Sequence, residues 1–349
     1  MSVVYRPALD GLRGVGILTV MAYHTGLLRG GWLGVDVFFA LSGFLITSLL
    51  LEERARTGAI SFRKFYVRRA LRLLPALLLL IVGCRLALLD SPRPAYWGLD
   101  AANVAAVLFY VANWAMLWGL GLGLFGHAWS LAIEEQFYFL WPPLVALLCR
   151  WVRRRGAVVA LVAAATVAGV ALRIALAHAG AGMPRLFLGL DTHGDAILVG
   201  CLAGFLSTWS LLPASPAARA ALRGAGAVGA VGLTVLFFTA AFPRAYVWHG
   251  ASTLAALAAT LVILDAARPG SRQAAALAFP PLVAVGRISY GLYLWHFPLF
   301  IGVGVLNPAG AVAPAVWIAA AWLATFAAAT VSYWLVERPA LGLKARFRG

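Results

Sequence analysis

An apolar stretch near the start of the chain, LDGLRGVGILTVMAYH at residues 9–24, contains Asp10, Arg13 and His24. At ~100° per residue, Arg13 and His24 fall on one face of a helix, roughly 16 Å apart along its axis. Asp10 falls on nearly the same face. Ionisable groups on a membrane helix are costly, so this stripe indicates function. Asp10 and Arg13 could instead snorkel or pair near the helix start, but the short side chain of His24 cannot snorkel far.

A second candidate group lies in HAWSLAIEEQFYFLWP, residues 127–142, where Glu134 and Glu135 fall inside another apolar run. His127 and Ser130 precede the glutamates by a turn or two of helix. Carboxylates and an imidazole in a low-dielectric pocket are typical of acid–base sites, where pKa values are shifted. At least one of the glutamates could alternatively be a structural partner of a buried arginine such as Arg13.

The segment GGWLGVDVFF places Asp36 near the outer end of the second apolar run, and only a few residues connect that run to His24. The two helices are therefore expected to be antiparallel neighbours. Asp36 could then bond to His24 and fix its tautomer, as carboxylates do for catalytic bases. The alternative is that Asp36 caps its own helix.

Arginines are frequent in SFRKFYVRRALRLLP, residues 61–75, in which Arg69 and Arg72 are one helical turn apart and adjoin the next apolar run. Two guanidinium groups at this spacing suit a phosphate or pyrophosphate group. A basic amphipathic helix that anchors on anionic lipid explains the same composition equally well.

Near the end of the chain, SYGLYLWHFP places Tyr290, Tyr293 and His296 within an apolar run. Tyrosines at such positions commonly belong to the aromatic belt of a membrane interface. Histidine is found in that belt less often. We regard Tyr290 and His296 as candidate substrate contacts. A further segment, LDTHGDAILVG, has Asp191, His193 and Asp195 at a spacing that is a weak metal signal. No second ligand cluster accompanies it, so we predict no metal.

Composition shows which kind of element carries these residues. The chain is 63% hydrophobic and 11% charged, with a mean hydropathy of +0.89, whereas soluble domains are about 25% charged. The net charge of +16 would suggest nucleic acid in a soluble protein. Here the arginines cluster between apolar runs, so membrane topology explains them and nucleic-acid binding is rejected. The sequence indicates no oligomeric state.

Eleven apolar segments have lengths near that needed to span a bilayer as a helix. They are residues 8–28, 32–51, 73–89, 100–122, 128–149, 157–178, 190–211, 225–242, 248–266, 281–305 and 312–336.

The positive-inside rule orients these segments. Seven basic residues lie from Arg54 to Arg72 and four from Arg150 to Arg155, so both loops and the N-terminus are predicted to be cytoplasmic. The same rule assigns further segments to the cytoplasmic side, namely the loops with Arg219 and Arg223 and with Arg268 and Arg272, and the tail with Arg338, Lys344, Arg346 and Arg348. The loops near Arg185, Arg244 and Asn307 are poorer in charge and are predicted to lie outside.

Three apolar segments separate the two basic loops, but an even number of crossings is needed for both loops to be cytoplasmic. We therefore predict that the glycine-rich tract NWAMLWGLGLGLFGH, within residues 100–127, is a re-entrant or broken element, which is tolerated where the backbone lines a cavity. The predicted fold is an all-α integral membrane bundle of about ten transmembrane helices plus this element. Alternatively, the cluster at 150–155 does not follow the rule.

Taken together, the motifs resemble the acyltransferase-3 family of polytopic membrane O-acyltransferases. The matching segments are LDGLRG at 9–14, Arg13 and His24 with ten intervening residues, GVDVFFALSGFLI at 34–46, FYVRRALRLLP at 65–75, HAWSLAIEEQFYFLWP at 127–142, SYGLYLWHFP at 289–298 and VERP at 336–339. The resemblance covers the chain end to end. Residues 1–349 are therefore expected to form a single membrane acyltransferase domain without the appended soluble domain that some family members carry.

The resemblance implies a bacterial inner-membrane enzyme that transfers an acyl group, usually acetyl from acetyl-CoA, to a hydroxyl of a carbohydrate or glycan. Typical acceptors are lipopolysaccharide, exopolysaccharide, peptidoglycan, nodulation oligosaccharides and macrolide sugars. Combined with the residues, it suggests His24 as general base or transient acyl carrier. The other expected roles are orientation of His24 by Asp36, acceptor positioning by Glu134 and Glu135, CoA phosphate binding by Arg13, Arg69 and Arg72, and substrate contacts by His127, Ser130, Tyr290 and His296.

Two other classes of function are compatible with intramembrane charges. A transporter or flippase of an anionic or glycolipid substrate would also need them, although the sequence lacks the internal repeats common in transporters. A non-catalytic assembly scaffold would not need His24.

Overall fold

The computed structural model describes residues 5–89, 96–213, 215–242, 250–268, 270–306 and 312–343. These residues form helices and connecting turns, with no strand among them. The α-helices are α1 (Pro7–His24), α2 (Gly34–Thr57), α3 (Phe62–Ala87), α4 (Ala101–Leu108), α5 (Ala112–Leu117), α6 (Ala128–Trp151), α7 (Arg155–His178), α8 (Met183–Leu188), α9 (Leu190–His193), α10 (Asp195–Thr208), α11 (Pro216–Thr239), α12 (Ser252–Ala266), α13 (Arg272–Leu277), α14 (Pro280–Arg287), α15 (Ser289–Val303), α16 (Ala315–Ser332) and α17 (Arg338–Leu343).

Among the described residues, five helical stretches are long and apolar enough to cross a membrane. They are Gly31–Thr57, Phe62–Ala87, Arg155–His178, Pro216–Thr239 and Ala315–Leu343. The first is 78% buried inside the protein, whereas the other four are only 22–33% buried. Apolar helices that leave most of their side chains uncovered suit a lipid surrounding. Over the described residues, the prediction of an all-helical protein with apolar helices of membrane-spanning length is therefore confirmed, and five such stretches stand against the predicted count of about ten.

The helices pack into two compact units. Unit 1 contains the described residues within 1–23, 28–60 and 136–287, and unit 2 those within 24–27, 61–135 and 288–349.

In unit 1, α2 and α10 approach closely because glycines face each other across the contact. A Cβ atom added to Gly43 would lie 2.0 Å from the carbonyl oxygen of Ile197, and one added to Gly200 would lie 2.0 Å from that of Ala40. Small residues at such positions let two membrane helices bring their backbones together. This contact also places the start of α10, where Asp195 lies, beside α2.

A buried ion pair links α7 to the start of α10 in unit 1. Nη1 of Arg173 donates to Oδ1 of Asp195 at 2.8 Å and to the carbonyl oxygen of Thr192 at 2.7 Å. The hydroxyl of Thr253 also bonds to both charged side chains. The side chains of the pair are only 4% and 0% exposed, so each charge depends on the other for compensation.

We expect Arg173→Met to lower the free energy of unfolding by about 3–5 kcal/mol, because it leaves the Asp195 carboxylate buried without its cation. Thermal unfolding in detergent micelles measures this. The matched control is Arg185→Met, which breaks an ion pair with Asp191 whose side chains are 33% and 41% exposed, and which should cost less than about 1 kcal/mol. Equal losses in the two variants would contradict the assignment.

In unit 2, the basic segment forms the first part of a long helix. α3 begins at Phe62, where the Ser61 hydroxyl accepts from the backbone N–H of Lys64 at 3.4 Å, a typical N-cap. The helix then runs to Ala87. The predicted apolar segment 73–89 and the basic segment before it are therefore one element, and Arg69 and Arg72 lie on a helix that leads into an apolar span.

The tract for which we predicted a break is not a continuous helix. α4 ends where Tyr110 adopts the left-handed region with φ 54°, and α5 ends near Gly119 with φ 90°. A 3-10 turn at Gly123–Phe125 follows. The break begins before the glycine-rich part, because Tyr110 rather than a glycine ends the first helix. Neither α4, of 8 residues, nor α5, of 6 residues, could span a bilayer alone.

Two other predicted segments are also divided. Segment 190–211 consists of α9 and α10, and segment 281–305 of α14 and α15. The loops near Arg244 and Asn307 and the tail residues Lys344, Arg346 and Arg348 lie outside the described residues.

Candidate active site

Two histidines of unit 2 contact each other directly. His24 is the last residue of α1, and His296 lies in the middle of α15. Nδ1 of His24 is 3.1 Å from Nε2 of His296. His24 is half-buried, whereas His296 is 0% exposed. His24 is therefore the imidazole of this pair that a substrate could reach.

A third histidine completes what we call the histidine cluster, namely His24, His127 and His296. The ring centroid of His127 lies 5.5 Å from that of His296 and 5.0 Å from that of Phe297. The Phe297 ring also packs edge-on against His24, at 5.4 Å. Residues from α1, the start of α6 and α15 therefore meet around one phenyl ring, which orients the imidazoles and excludes water on that side.

Hydroxyl groups connect His127 to α15. The hydroxyl of Tyr293 donates to the carbonyl oxygen of His127 at 2.8 Å and is bonded to the hydroxyl of Ser130. Both side chains are buried. Ser130, His127, His296 and His24, which the sequence predicted as site residues, are thus brought together.

The substrate contact expected at Tyr290 stays a prediction, and the structure shows a structural contact of this residue as well. The hydroxyl of Tyr290 donates to the carbonyl oxygen of Leu73 at 3.1 Å, which ties α15 to α3 and gives Tyr290 a structural role. Tyr293 is the tyrosine beside the histidine cluster. Its position three residues before His296, on the same helical face, was the signal that could have identified it.

A second charged group in unit 2 lies between α3 and α6. The guanidinium group of Arg69 forms an ion pair with the Glu135 carboxylate, and each side chain is 15% exposed. Glu135 also interacts electrostatically with Glu134 and Arg72. The sequence left open that one of the glutamates is a structural partner of a buried arginine, and for Glu135 that arginine is Arg69.

Tyr110 belongs to the same surroundings, although no motif in the sequence pointed to it. It interacts electrostatically with Glu135, Arg69 and Glu134. Its φ of 54° is an outlier for a bulky residue. Backbone strain of this kind persists where the surrounding structure enforces it, often at functional sites.

The structure gives Asp36 a different partner from the one that we expected. Oδ1 of Asp36 lies 2.9 Å from Nε2 of His193, and Nδ1 of His193 lies 2.7 Å from the carbonyl oxygen of Phe187. The side chains of Asp36 and His193 are 0% and 2% exposed. Asp36 and His193 are thus a buried pair within unit 1. The expectation that Asp36 bonds to His24 is wrong, because its partner is His193.

The remaining predicted residues lie on α1. Asp10 accepts from the hydroxyl of Tyr5 at 2.7 Å, and that hydroxyl in turn accepts from Nη2 of Arg287 at 3.1 Å. Asp10 therefore has a structural partner. Arg13 is half-buried, and its role in binding CoA stays a prediction. No group of three metal-ligating side chains occurs in the part of the chain that the structure describes.

Comparison with known proteins identifies similar sequences over nearly the whole chain. The family model described as an acyltransferase domain, acyltransferase-3, matches residues 6–337. "O-acetyltransferase OatA" of Staphylococcus aureus (strain NCTC 8325 / PS 47) is 33% identical over 350 residues, which cover 96% of this chain and 57% of that protein.

A second relative gives the same indication. "Putative O-acetyltransferase SAS0844" of Staphylococcus aureus (strain MSSA476) is 33% identical over 309 residues, covering 84% of this chain and 50% of that protein. The chain thus spans about half the length of the curated relatives that it matches. No solved structure matches significantly.

Proposed function

Because the chain belongs to the acyltransferase-3 family of acyltransferase domains, we propose that it is a membrane O-acetyltransferase that uses acetyl-CoA and acetylates a hydroxyl group of a carbohydrate or glycan. The names of its relatives support acetyl as the transferred group. The observation that carries the proposal is the half-buried His24, held 3.1 Å from a fully buried second histidine.

In the proposed reaction His24 acts as general base. It takes the proton of the acceptor hydroxyl as the oxygen attacks the thioester carbonyl. A carbon–oxygen bond forms, the carbon–sulfur bond breaks, and the CoA thiolate receives the proton. A positioned histidine contributes about 10²–10⁴-fold to such a step. Transient acylation of His24 is the variant of this mechanism in which the imidazole itself attacks the thioester.

Arg69 and Arg72 are proposed to bind the phosphates of CoA. The ion pair between Arg69 and Glu135 is compatible with this role, because a guanidinium group has five N–H donors and one carboxylate does not occupy them all. In this arrangement Glu135 fixes the orientation of Arg69. Glu134, on the preceding position of α6, is proposed to position the acceptor.

The protein is proposed to lie in the inner membrane with both termini in the cytoplasm. About ten helices would cross fully, and the broken tract of α4 and α5 would enter without crossing. The distribution of arginines supports this topology. So does the shortness of α4 and α5, since backbone interrupted at membrane depth is tolerated where protein or a cavity surrounds it.

Cysteine labelling tests this topology in a cysteine-free background. Arg153→Cys and Thr57→Cys, both at exposed positions, are expected to react with an impermeant maleimide only after the membrane is permeabilised. Arg29→Cys, exposed in the connection between α1 and α2, is expected to react in intact cells. Reaction of Arg153→Cys in intact cells would overturn the even number of crossings and, with it, the re-entrant element.

The proposed activity is tested with the purified protein in nanodiscs. Incubated with radiolabelled acetyl-CoA and peptidoglycan fragments, lipopolysaccharide or exopolysaccharide, it is expected to form an alkali-labile acetyl ester on at least one glycan. A transporter or flippase, the second candidate from the sequence, would move such a substrate between leaflets without forming an ester.

A further inference from the structure

We infer that His296 is a positioning residue that fixes the tautomer of His24, so that the lone pair of neutral His24 lies on Nε2. The inference rests on the proposed function, because it names the nitrogen that takes the acceptor proton. His296 was expected from the sequence to contact substrate, whereas its complete burial assigns it to a supporting role.

The hydrogen bonds of His296 show which of its ring nitrogens carries the hydrogen. Its Nδ1 lies 2.7 Å from the carbonyl oxygen of Tyr293 and 3.2 Å from that of Leu292. A carbonyl oxygen only accepts hydrogen bonds, so Nδ1 of His296 must carry the hydrogen. A neutral imidazole has one N–H group, and Nε2 of His296 is therefore an acceptor.

The acceptor role of Nε2 of His296 determines which nitrogen of His24 carries the hydrogen. Nδ1 of His24 lies 3.1 Å from Nε2 of His296, a normal distance for a hydrogen bond. Since Nε2 accepts, Nδ1 of His24 must donate. The opposite tautomer of His24 would direct two lone pairs at each other. Neutral His24 is thus held with its hydrogen on Nδ1 and its basic lone pair on Nε2.

Burial keeps His296 neutral, which is the state in which its Nε2 can accept the hydrogen bond from His24. The side chain is 0% exposed, and the ring of Phe300 packs edge-on against it at 5.7 Å. An imidazolium here would lose its hydration, which is costly in an apolar environment. A second hydrogen on His296 would also point directly at the N–H of His24. The arrangement therefore favours neutral His296.

The same bond assists the proton transfer itself. When the acceptor O–H bond breaks, the proton moves to Nε2 of His24, and the resulting imidazolium still donates through Nδ1 to His296. That hydrogen bond becomes charge-assisted, and such bonds are roughly twice as strong as neutral ones. No group has to reorient, which is the condition for stabilising charge as it develops. The proton then leaves Nε2 for the CoA thiolate.

Two substitutions of His296 distinguish its hydrogen bond to His24 from a role in packing alone. The amide oxygen of His296→Gln can reach the position of Nε2 and accept from His24. The shorter side chain of His296→Asn can bond to the Tyr293 carbonyl but cannot reach His24. We expect kcat to fall less than about tenfold in the Gln variant and about 10²-fold in the Asn variant, with the KM for acetyl-CoA unchanged in both.

Nitrogen NMR of the full-length protein with isotope-labelled histidine reads the tautomer directly. His24→Gln identifies the signals of His24. In the unliganded wild-type protein, neutral His24 is expected to show a protonated Nδ1 and an unprotonated Nε2, a state that His296→Gln preserves and His296→Asn does not. Phe300→Leu is the packing control, since it removes a contact of His296 without removing a hydrogen bond.

The possible results distinguish failure of the tautomer assignment from failure of the proposed function. A neutral His24 protonated on Nε2 in the wild-type protein would overturn the inference even if the protein transfers acetyl groups. Equal kcat values for the Gln and Asn variants would overturn it as well. Absence of acetyl transfer by the wild-type protein, together with the expected NMR signals, would instead reject the proposed function and leave the tautomer assignment standing.

Discussion

Replacing His24 with alanine is expected to lower the rate of acetyl transfer by about 10²–10⁴-fold, which is the contribution of a positioned general base. His24 is half-buried at the last residue of α1. Its truncation removes few packing contacts, so the protein should still insert and fold. Initial rates with radiolabelled acetyl-CoA measure the effect, and size-exclusion chromatography in detergent verifies folding.

His24→Gln is the stricter version of this test. Glutamine keeps much of the size and hydrogen-bonding capacity of histidine but cannot accept a proton near neutral pH. The loss of rate should therefore be as large as in His24→Ala. A glutamine variant with near-wild-type product formation would remove His24 from the chemistry and reduce the histidine cluster to a packing element.

The double substitution Arg69→Ala, Arg72→Ala is expected to weaken acetyl-CoA binding by about 10²–10⁴-fold. Each hydrogen bond to a charged group contributes about 1.5–3 kcal/mol, and the proposal assigns at least one such bond to each arginine. Calorimetric titration of the protein in nanodiscs measures the affinity. The single substitutions Arg69→Lys and Arg72→Lys should each weaken donor binding, because lysine lacks the planar fork. Acceptor affinity should remain nearly unchanged.

Two controls make this prediction specific. Arg63→Ala removes an exposed positive charge from the same helix and should barely alter donor affinity. Glu135→Gln shows how much of the Arg69 effect arises because the Glu135 carboxylate has lost its ion-pair partner. Unaltered donor binding in the double variant would refute phosphate binding. The basic part of α3 would then be better explained as a lipid anchor.

The sequence predicted the long elements well, because their signal is local. The apolar segment 157–178 corresponds to Arg155–His178, whereas the helix Pro216–Thr239 begins nine residues before the predicted segment 225–242. The argument from an even number of crossings placed a break in the glycine-rich tract within residues 100–127, and the helix there is divided into α4 and α5. The start of that break was not predictable. It depends on a left-handed tyrosine, Tyr110, which only its surroundings stabilise.

Contacts between distant parts of the chain were predicted less well. The nearness of Asp36 to His24 along the chain suggested a pair, but the partner of Asp36 is His193, 157 residues away. Periodicity places a residue on a face of its own helix and does not identify the helix opposite. The histidine cluster was predictable only as a set of motifs, since nothing local indicates that residues 24, 127 and 296 meet.

The central claim is that this chain transfers acetyl groups with His24 as the base. The most direct test is single-turnover transfer from radiolabelled acetyl-CoA to a glycan by the purified protein in nanodiscs, with wild type and His24→Gln compared at saturating donor. We predict ester formation by the wild-type protein and a rate at least about 10²-fold lower in the variant, with equal binding of acetyl-CoA. Equal rates in the two proteins would contradict the account.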